Sequence, residues 1–277
     1  IYTLSLHDAL PIYYRNKMTY VCCAILMLIV LAGILAPLLA PHDPLQQHLE
    51  QRLAGPSMDY PLGTDQFGRC ILSRILFAAR ATLGFAILGT LIAACIGIFL
   101  GTIAGFKGGI PDSIIMRMCD VLYAFPGLVI VMAIVGFIGV GIVNVVIAML
   151  VLQWLWYARV SRNLVMSEKN RSYISAAKMA GCSDTRIIFK HILPNIIPNM
   201  LAIFTVDFGH TIIAISGYSF LGLGVQPPQP EWGAMINEGR NFLNRDPLLM
   251  LWPGIMILVV VVSANILGDK MRDAMDN

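Results

Sequence analysis

Six apolar runs, each near the ~20 residues a helix needs to cross ~30 Å of hydrocarbon, restrict this chain to folds solvated by lipid. They fall at about 20–39, 81–105, 113–136, 139–157, 196–221 and 248–267. Charged residues are only 13% of the 277, about half the soluble norm of ~25%. A soluble core of this size would need a far more polar shell. The runs therefore predict an all-α integral membrane protein of six transmembrane helices. The third and fourth are separated by little more than Phe137 and Ile138, which predicts a tight helical hairpin. Gly84, Gly89, Ala93, Ala94, Gly97 and Gly101 in the second run let backbones approach closely, as a packed bundle requires.

Lys and Arg set the orientation. With the N-terminus in the cytoplasm, six crossings return the C-terminus there. Of the 19 basic residues, only Arg52, Arg69, Arg74, Arg80, Arg240 and Arg245 then lie outside. A net charge of +3 is too small to suggest nucleic acid as a partner.

Between the fourth and fifth runs lies a polar, basic insert at 175–194, SAAKMAGCSDTRIIFKHILP. It reads as two short helices hinged at Gly181, with Leu193-Pro194 where the next membrane helix begins. Ala176 and Ala177 are small enough for a neighbouring surface to come close. A basic loop resting on anionic lipid would need none of these features together. The expected element is a rigid cytoplasmic elbow gripped by a partner. Its candidate contact residues are Ser175, Ala176, Ala177, Lys178, Gly181, Asp184, Arg186, Leu193 and Pro194.

Two segments fall outside. In LGTDQFGRCILSRILFAAR, residues Phe67, Ile71, Leu72, Ile75, Leu76 and Ala79 share one half of a helical wheel. Arg69, Ser73 and Arg80 lie opposite, Arg74 lies at the edge, and Phe77 breaks the pattern. That predicts an amphipathic helix in the outer interface. The prolines and Trp232-Gly233 of 222–247 predict an ordered re-entrant or surface hairpin, with Trp232 near headgroup level. Of six cysteines, Cys70 alone is outside, Cys182 is cytoplasmic, and Cys22, Cys23, Cys95 and Cys119 lie in spans. No pair shares an oxidising compartment, so no internal disulfide is expected.

Catalytic patterns are missing from the sequence. It has no GxxxxGK[ST], GxSxG or HExxH, and no zinc-ligand spacing. With no phosphate loop of its own, the chain would need another polypeptide to hold the nucleotide if its activity were ATP-driven. Ionisable residues at membrane depth are functional candidates by default. Arg117 and Asp120, three apart near the inner end of the third span, are expected to form a structural pair. Asp207 and His210 share that spacing in the fifth. They are candidates for a translocation pathway, where they could touch a metal or a peptide amine; equally, they could satisfy one another.

The first dozen residues, IYTLSLHDALPI, resemble the translation of a sequencing-adapter oligonucleotide, and no function is assigned to residues 1–12. From Tyr13 onward the motifs resemble the dipeptide/oligopeptide/nickel family of ABC transporter permeases. They include Arg15-Asn16-Lys17, the run from Ala36 to Pro44, Leu62-Gly63-Thr64-Asp65 with Gly68-Arg69 and Ser73-Arg74, and Asp120 with Ala124-Phe125-Pro126. Ser219 to Gly224, Pro230 to Met235, the elbow and the closing Leu267-Gly268-Asp269 complete the set, in an order closest to the C-type, second permease subunit. Ser175 stands where the family's elbow motif has Glu, and Cys70 where Asp is frequent.

The resemblance implies a type I ABC importer permease, with residues 13–80 as an N-terminal helix plus external segment, 81–277 as the transmembrane core, and a coupling elbow at about 171–194. It implies a homologous second permease, two cytoplasmic ATPases carrying ATP and Mg, an extracytoplasmic solute-binding protein, and surrounding membrane lipid. The chain itself would carry no cofactor and no metal. The solute would be a di- or oligopeptide, nickel or a related molecule, and the location a prokaryotic inner or plasma membrane. An ion-coupled secondary transporter would show internal repeats, which are not evident here. An intramembrane enzyme would need a nucleophile and base, or metal ligands, at membrane depth.

Overall fold

The structure is a computed structural model that describes residues 17–276. The readings of residues 1–12 and of Arg15 lie outside the described residues. Helices account for the architecture: α1 (Lys17–Ile34), the short α2 (Ala36–Leu39), α3 (Ile71–Lys107), α4 (Gly109–Tyr123), α5 (Gly127–Ile138), α6 (Ile142–Lys169), α7 (Ser172–Met179), α8 (Asp184–Ile187), α9 (Leu193–Phe220), α10 (Trp232–Gly239) and α11 (Leu248–Asp276). Among the described residues, five helices are long and apolar enough to cross a membrane, or six if α4 and α5 count as one span.

That qualification corrects the third span. The run at 113–136 is not one helix: α4 and α5 meet at a bend of 86°. Pro126 supplies the cause. It has no amide hydrogen, and it disfavours helical geometry at Phe125. Its own carbonyl starts α5 by accepting from Val129 and Ile130. Neither piece reaches ~30 Å alone at 1.5 Å per residue. The hairpin with the fourth span is present, turning through Gly139 and Gly141.

α3 and α6 form the main pairing of the bundle. Gly97, Gly101 and Gly105, four apart, present a groove of bare backbone to α6. A Cβ at Gly97 would sit 2.5 Å from the Trp154 carbonyl oxygen, and one at Gly105 2.7 Å from that of Arg162. One at Gly101 would strike Ser161 Oγ, which donates to the Gly97 carbonyl (3.2 Å). This is small-residue packing of the kind that replaces the hydrophobic effect where both solvent and core are apolar.

The end of the bundle opposite the elbow corrects two expectations. No separate interfacial helix precedes the second span; α3 begins at Ile71 and runs 37 residues without a break, about 55 Å. On the polar side of the wheel Arg69, Ser73 and Arg74 are buried, while Arg80 is exposed. Arg69 Nε meets Asp65 Oδ2 at 2.6 Å, and Glu238 Oε2 on α10 takes Arg69 Nη2 (2.5 Å) and Arg74 Nη2 (3.2 Å). Both arginine side chains are 1% exposed. Two carboxylates match two guanidiniums, which is why the wheel's charged face can turn inward. Trp232 is likewise fully buried, and its Nε1 donates to the Ile75 carbonyl (3.2 Å). Glu231 caps α10 by accepting from Ala234 N (2.9 Å) and takes the Thr82 hydroxyl (3.0 Å). All six cysteines are free thiols, and Cys70 is buried.

Candidate functional site

α7 and α8 form the elbow predicted at 175–194. The turn between them runs through Gly181, whose φ of +77° lies in the left-handed region where a side chain is strained. Ser183 Oγ caps α8 by accepting from Arg186 N. Underneath, Ile174, Ile187, Ile192 and Ile196 pack with Phe106 of α3 and Val165 of α6. Ser175, Ala176, Lys178, Gly181, Asp184, Arg186 and Pro194 are exposed, while Ala177 and Leu193 are half-buried against that cluster. Met179 and Phe189 stand out at 84% and 66% exposure. The elbow thus offers a compact, partly apolar outer face on a rigid base.

The exit lies where expected, since α9 begins at Leu193 with Pro194 in its first turn. No loop precedes it. The chain is helical from Asp184 onward, with a π-helical turn at Ile188–Ile192 leading into α9. Pro194 has no amide hydrogen to donate into the preceding turn, and the wider turn absorbs that irregularity. Asn195 Nδ2 serves the His191 carbonyl (2.8 Å) and also donates to Tyr173 OH (2.8 Å). Tyr173 OH in turn donates to Glu168 Oε2 (2.5 Å) at the end of α6. Burial, then the bond to Glu168, pushes the Tyr173 phenol above its ordinary range. Lys169 donates to the Phe106 carbonyl, and Lys178 lies 5.7 Å from the Phe106 ring centroid. The elbow is therefore tied to α3, α6 and α9 together.

Midway along the bundle the polar groups regroup. Asp207 lies on α9, about 21 Å from Leu193 at 1.5 Å per residue. Its Oδ2 accepts from Gln153 Nε2 (2.8 Å) and Tyr157 OH (2.9 Å), both on α6. Gln153 Nε2 also reaches Thr211 Oγ1 (2.6 Å), which Thr90 Oγ1 on α3 meets at 3.0 Å. Asp207 and His210 do not bond one another; both line a cavity of about 240 Å³ with Tyr123, Trp156 and Tyr218. The bend between α4 and α5 places Tyr123 and Val131 on its wall.

The pairing expected between Arg117 and Asp120 is also replaced. Arg159 Nη2 on α6 takes Asp120 Oδ1 at 2.6 Å, and the Arg159 guanidinium lies 4.4 Å from the Tyr123 ring centroid. Arg162 takes both oxygens of Asp112. At Asp120 a single short bond from a neighbouring helix takes the place of the i,i+3 neighbour on the same one, and the bidentate grip is at Asp112. Sequence reasoning missed Gln153, Tyr157, Glu168, Tyr173 and Asn195. Gln153 and Tyr157, four apart in a run whose other polar side chain is Asn144, were the one available signal.

Comparison with known proteins agrees with this geometry. Residues 97–277 match the family described as binding-protein-dependent transport system inner membrane component. Residues 6–56 match the N-terminal TM domain of oligopeptide transport permease C. The nickel transport system permease protein NikC of Escherichia coli (strain K12) is 37% identical over 91% of each chain. The dipeptide transport system permease protein DppC of Alkalihalophilus pseudofirmus is 39% identical over 95% of this chain and 86% of its own. Glutathione permease GsiD of Pectobacterium atrosepticum is 38% identical, over 95% and 88%. A chain of the MetNI methionine ABC transporter, in an inward-facing conformation, shares the fold with a TM-score of 0.59 at 14% identity, covering 74% of this chain and 97% of that one. This chain belongs to the binding-protein-dependent transport system inner membrane component family, as a permease subunit of an ABC importer.

Proposed function

We propose that the subunit forms half of a translocation pathway for di- or oligopeptides or a related small solute, and that α7 and α8 dock a cytoplasmic ATPase. The carrying observation is the elbow: an exposed face of small and apolar residues, hinged at Gly181 and bonded through Tyr173 to both α6 and α9. Such a base transmits force as a rigid body. ATP and Mg would be held by two partner ATPases, and closure of that pair would swing the elbow and rock α6 and α9 between discrete packings. The elbow end faces the cytoplasm in this reading, which the distribution of Lys and Arg supports. A homologous permease completes the path, an extracytoplasmic binding protein delivers the solute at the opposite end, and lipid surrounds the pair.

The pathway side is marked by charge. Asp120 and Arg159 side chains are 69% and 38% exposed in the isolated subunit. Ionisable groups at that depth do not face lipid. Together with exposed His210 and the cavity beside Asp207, they support packing of this face on the second permease, across a wet path. Arg117, exposed on the same helix, goes with it.

Co-purification and ATP-dependent uptake in vesicles test the docking reading. Gly181→Pro forces φ to about −65° where +77° is needed. The expected result is lost uptake with the chain still in the membrane. A variant that transports normally with its ATPases attached would overturn the assignment.

A further inference from the structure

The carboxylate of Asp207 is only half used. Oδ2 carries both of its hydrogen bonds, from the neutral donors Gln153 and Tyr157. Among the described residues Oδ1 has no hydrogen-bond partner, and Asp207 lines the cavity. Among the described residues no Lys, Arg or His forms an ion pair with Asp207. Arg159, over the Tyr123 ring, is already matched by Asp120. An oriented anion at mid-membrane depth, without a fixed counter-charge, is costly to keep. It becomes favourable when a cation arrives.

We propose that this cavity recognises the protonated primary amine of the passing solute, with Asp207 Oδ1 accepting from the ammonium and the rings of Tyr123, Trp156 and Tyr218 facing its charge. The inference rests on the importer-permease reading and names the solute chemistry of that same site. Three aromatic residues around one carboxylate suit an ammonium, which gains from ring faces as well as from the anion. A divalent metal asks for more. No group of three or more His, Cys, Asp or Glu among the described residues could hold one, and a dehydrated ion needs several such ligands. The cavity, about 240 Å³ and open on one side, has room for the amino end of a small solute. Gln153 and Tyr157 act as positioning residues, because they hold Oδ2 and so aim Oδ1.

The test uses the whole transporter: this chain, its second permease, the ATPases and the binding protein, reconstituted in vesicles. ATP-dependent uptake of dialanine, glutathione and Ni²⁺ is measured for wild type, Asp207→Asn and Asp207→Glu, with thermal unfolding recorded for each. The expected outcome is an uptake of amine-bearing solute about tenfold lower in Asp207→Asn and within about threefold of wild type in Asp207→Glu, at equal unfolding temperatures. In parallel, the solubilised complex without binding protein is titrated calorimetrically with dialanine and N-acetyl-dialanine. Wild type should bind the free amine about tenfold tighter, and Asp207→Asn should lose that preference. Equal binding of the two peptides, undiminished uptake in Asp207→Asn, loss of stability in step with uptake, or uptake confined to Ni²⁺ would each overturn the proposal. Wild-type vesicles that take up none of the three solutes would instead fail the importer reading.

Discussion

At Glu238 one carboxylate holds two guanidiniums that are otherwise sealed from solvent. Its Oε2 meets Arg69 and Arg74, while Asp65 closes the other side. Removing one partner of a buried ion group leaves a charge without compensation, and costs about 3–5 kcal/mol. Glu238→Ala is therefore expected to lower the thermal stability of the purified subunit sharply, and Glu238→Gln less, since the amide oxygen still accepts. Melting followed by circular dichroism checks this; a wild-type melting temperature for Glu238→Ala would mean that the cluster is wet in the membrane. The motif residues Asp65, Arg69 and Arg74 were visible in the sequence, yet their wheel suggested an exposed charged face. Nothing in the local pattern could show that Glu238, more than 160 positions along the chain, would neutralise them.

Among the elements, α3 and α6 depend most on residue size. Their backbones approach across Gly97, Gly101 and Gly105, and a Cβ at the middle position would strike Ser161 Oγ. Gly101→Leu is expected to prevent this packing, since four added carbons must displace backbone as well as side chain; overpacking of this sort costs about 1–3 kcal/mol or more. Gly84 on the same helix has open space where its Cβ would stand, so Gly84→Ala should be tolerated. Comparing the yield of monodisperse protein after detergent extraction separates the two. Equal yields would show that the stripe is not a packing surface. The small residues of the second span were legible as a group, but which of them face α6 was not, because that depends on the phase of one helix against another. The bend at Pro126 has the same status. Ala124-Phe125-Pro126 was present to be read, while apolarity on both sides argued for one continuous span.

For the whole molecule, the unmatched surface is the informative part. Val121 is 62% exposed on the α4 face beside Asp120, and Leu28 is 68% exposed on α1. If the charged face packs on the second permease, Val121→Cys in the assembled transporter should cross-link to that subunit, and Leu28→Cys, on a purely apolar face, should not. Gel analysis after oxidation, against a scan of cysteines in the partner, reads the result. Cross-linking at Leu28 alone would move the interface to α1.

Composition and the lengths of the apolar runs determined by themselves that this chain is a helical membrane protein. They did so because unpaired backbone in lipid leaves a single-chain segment of this kind few options besides helix. Motif order determined its family, and the insert at 175–194 located the elbow, since a polar, glycine-hinged segment between two spans must lie at a membrane surface. Pairing was decided only by the tertiary structure. Asp207 chose Gln153 and Tyr157 over His210, and Asp120 chose Arg159 over Arg117. In each case a donor on a neighbouring helix reached the carboxylate with better geometry than the residue three positions away. Spacing along one helix says which side chains share a face; what that face meets is fixed by the packing of the others.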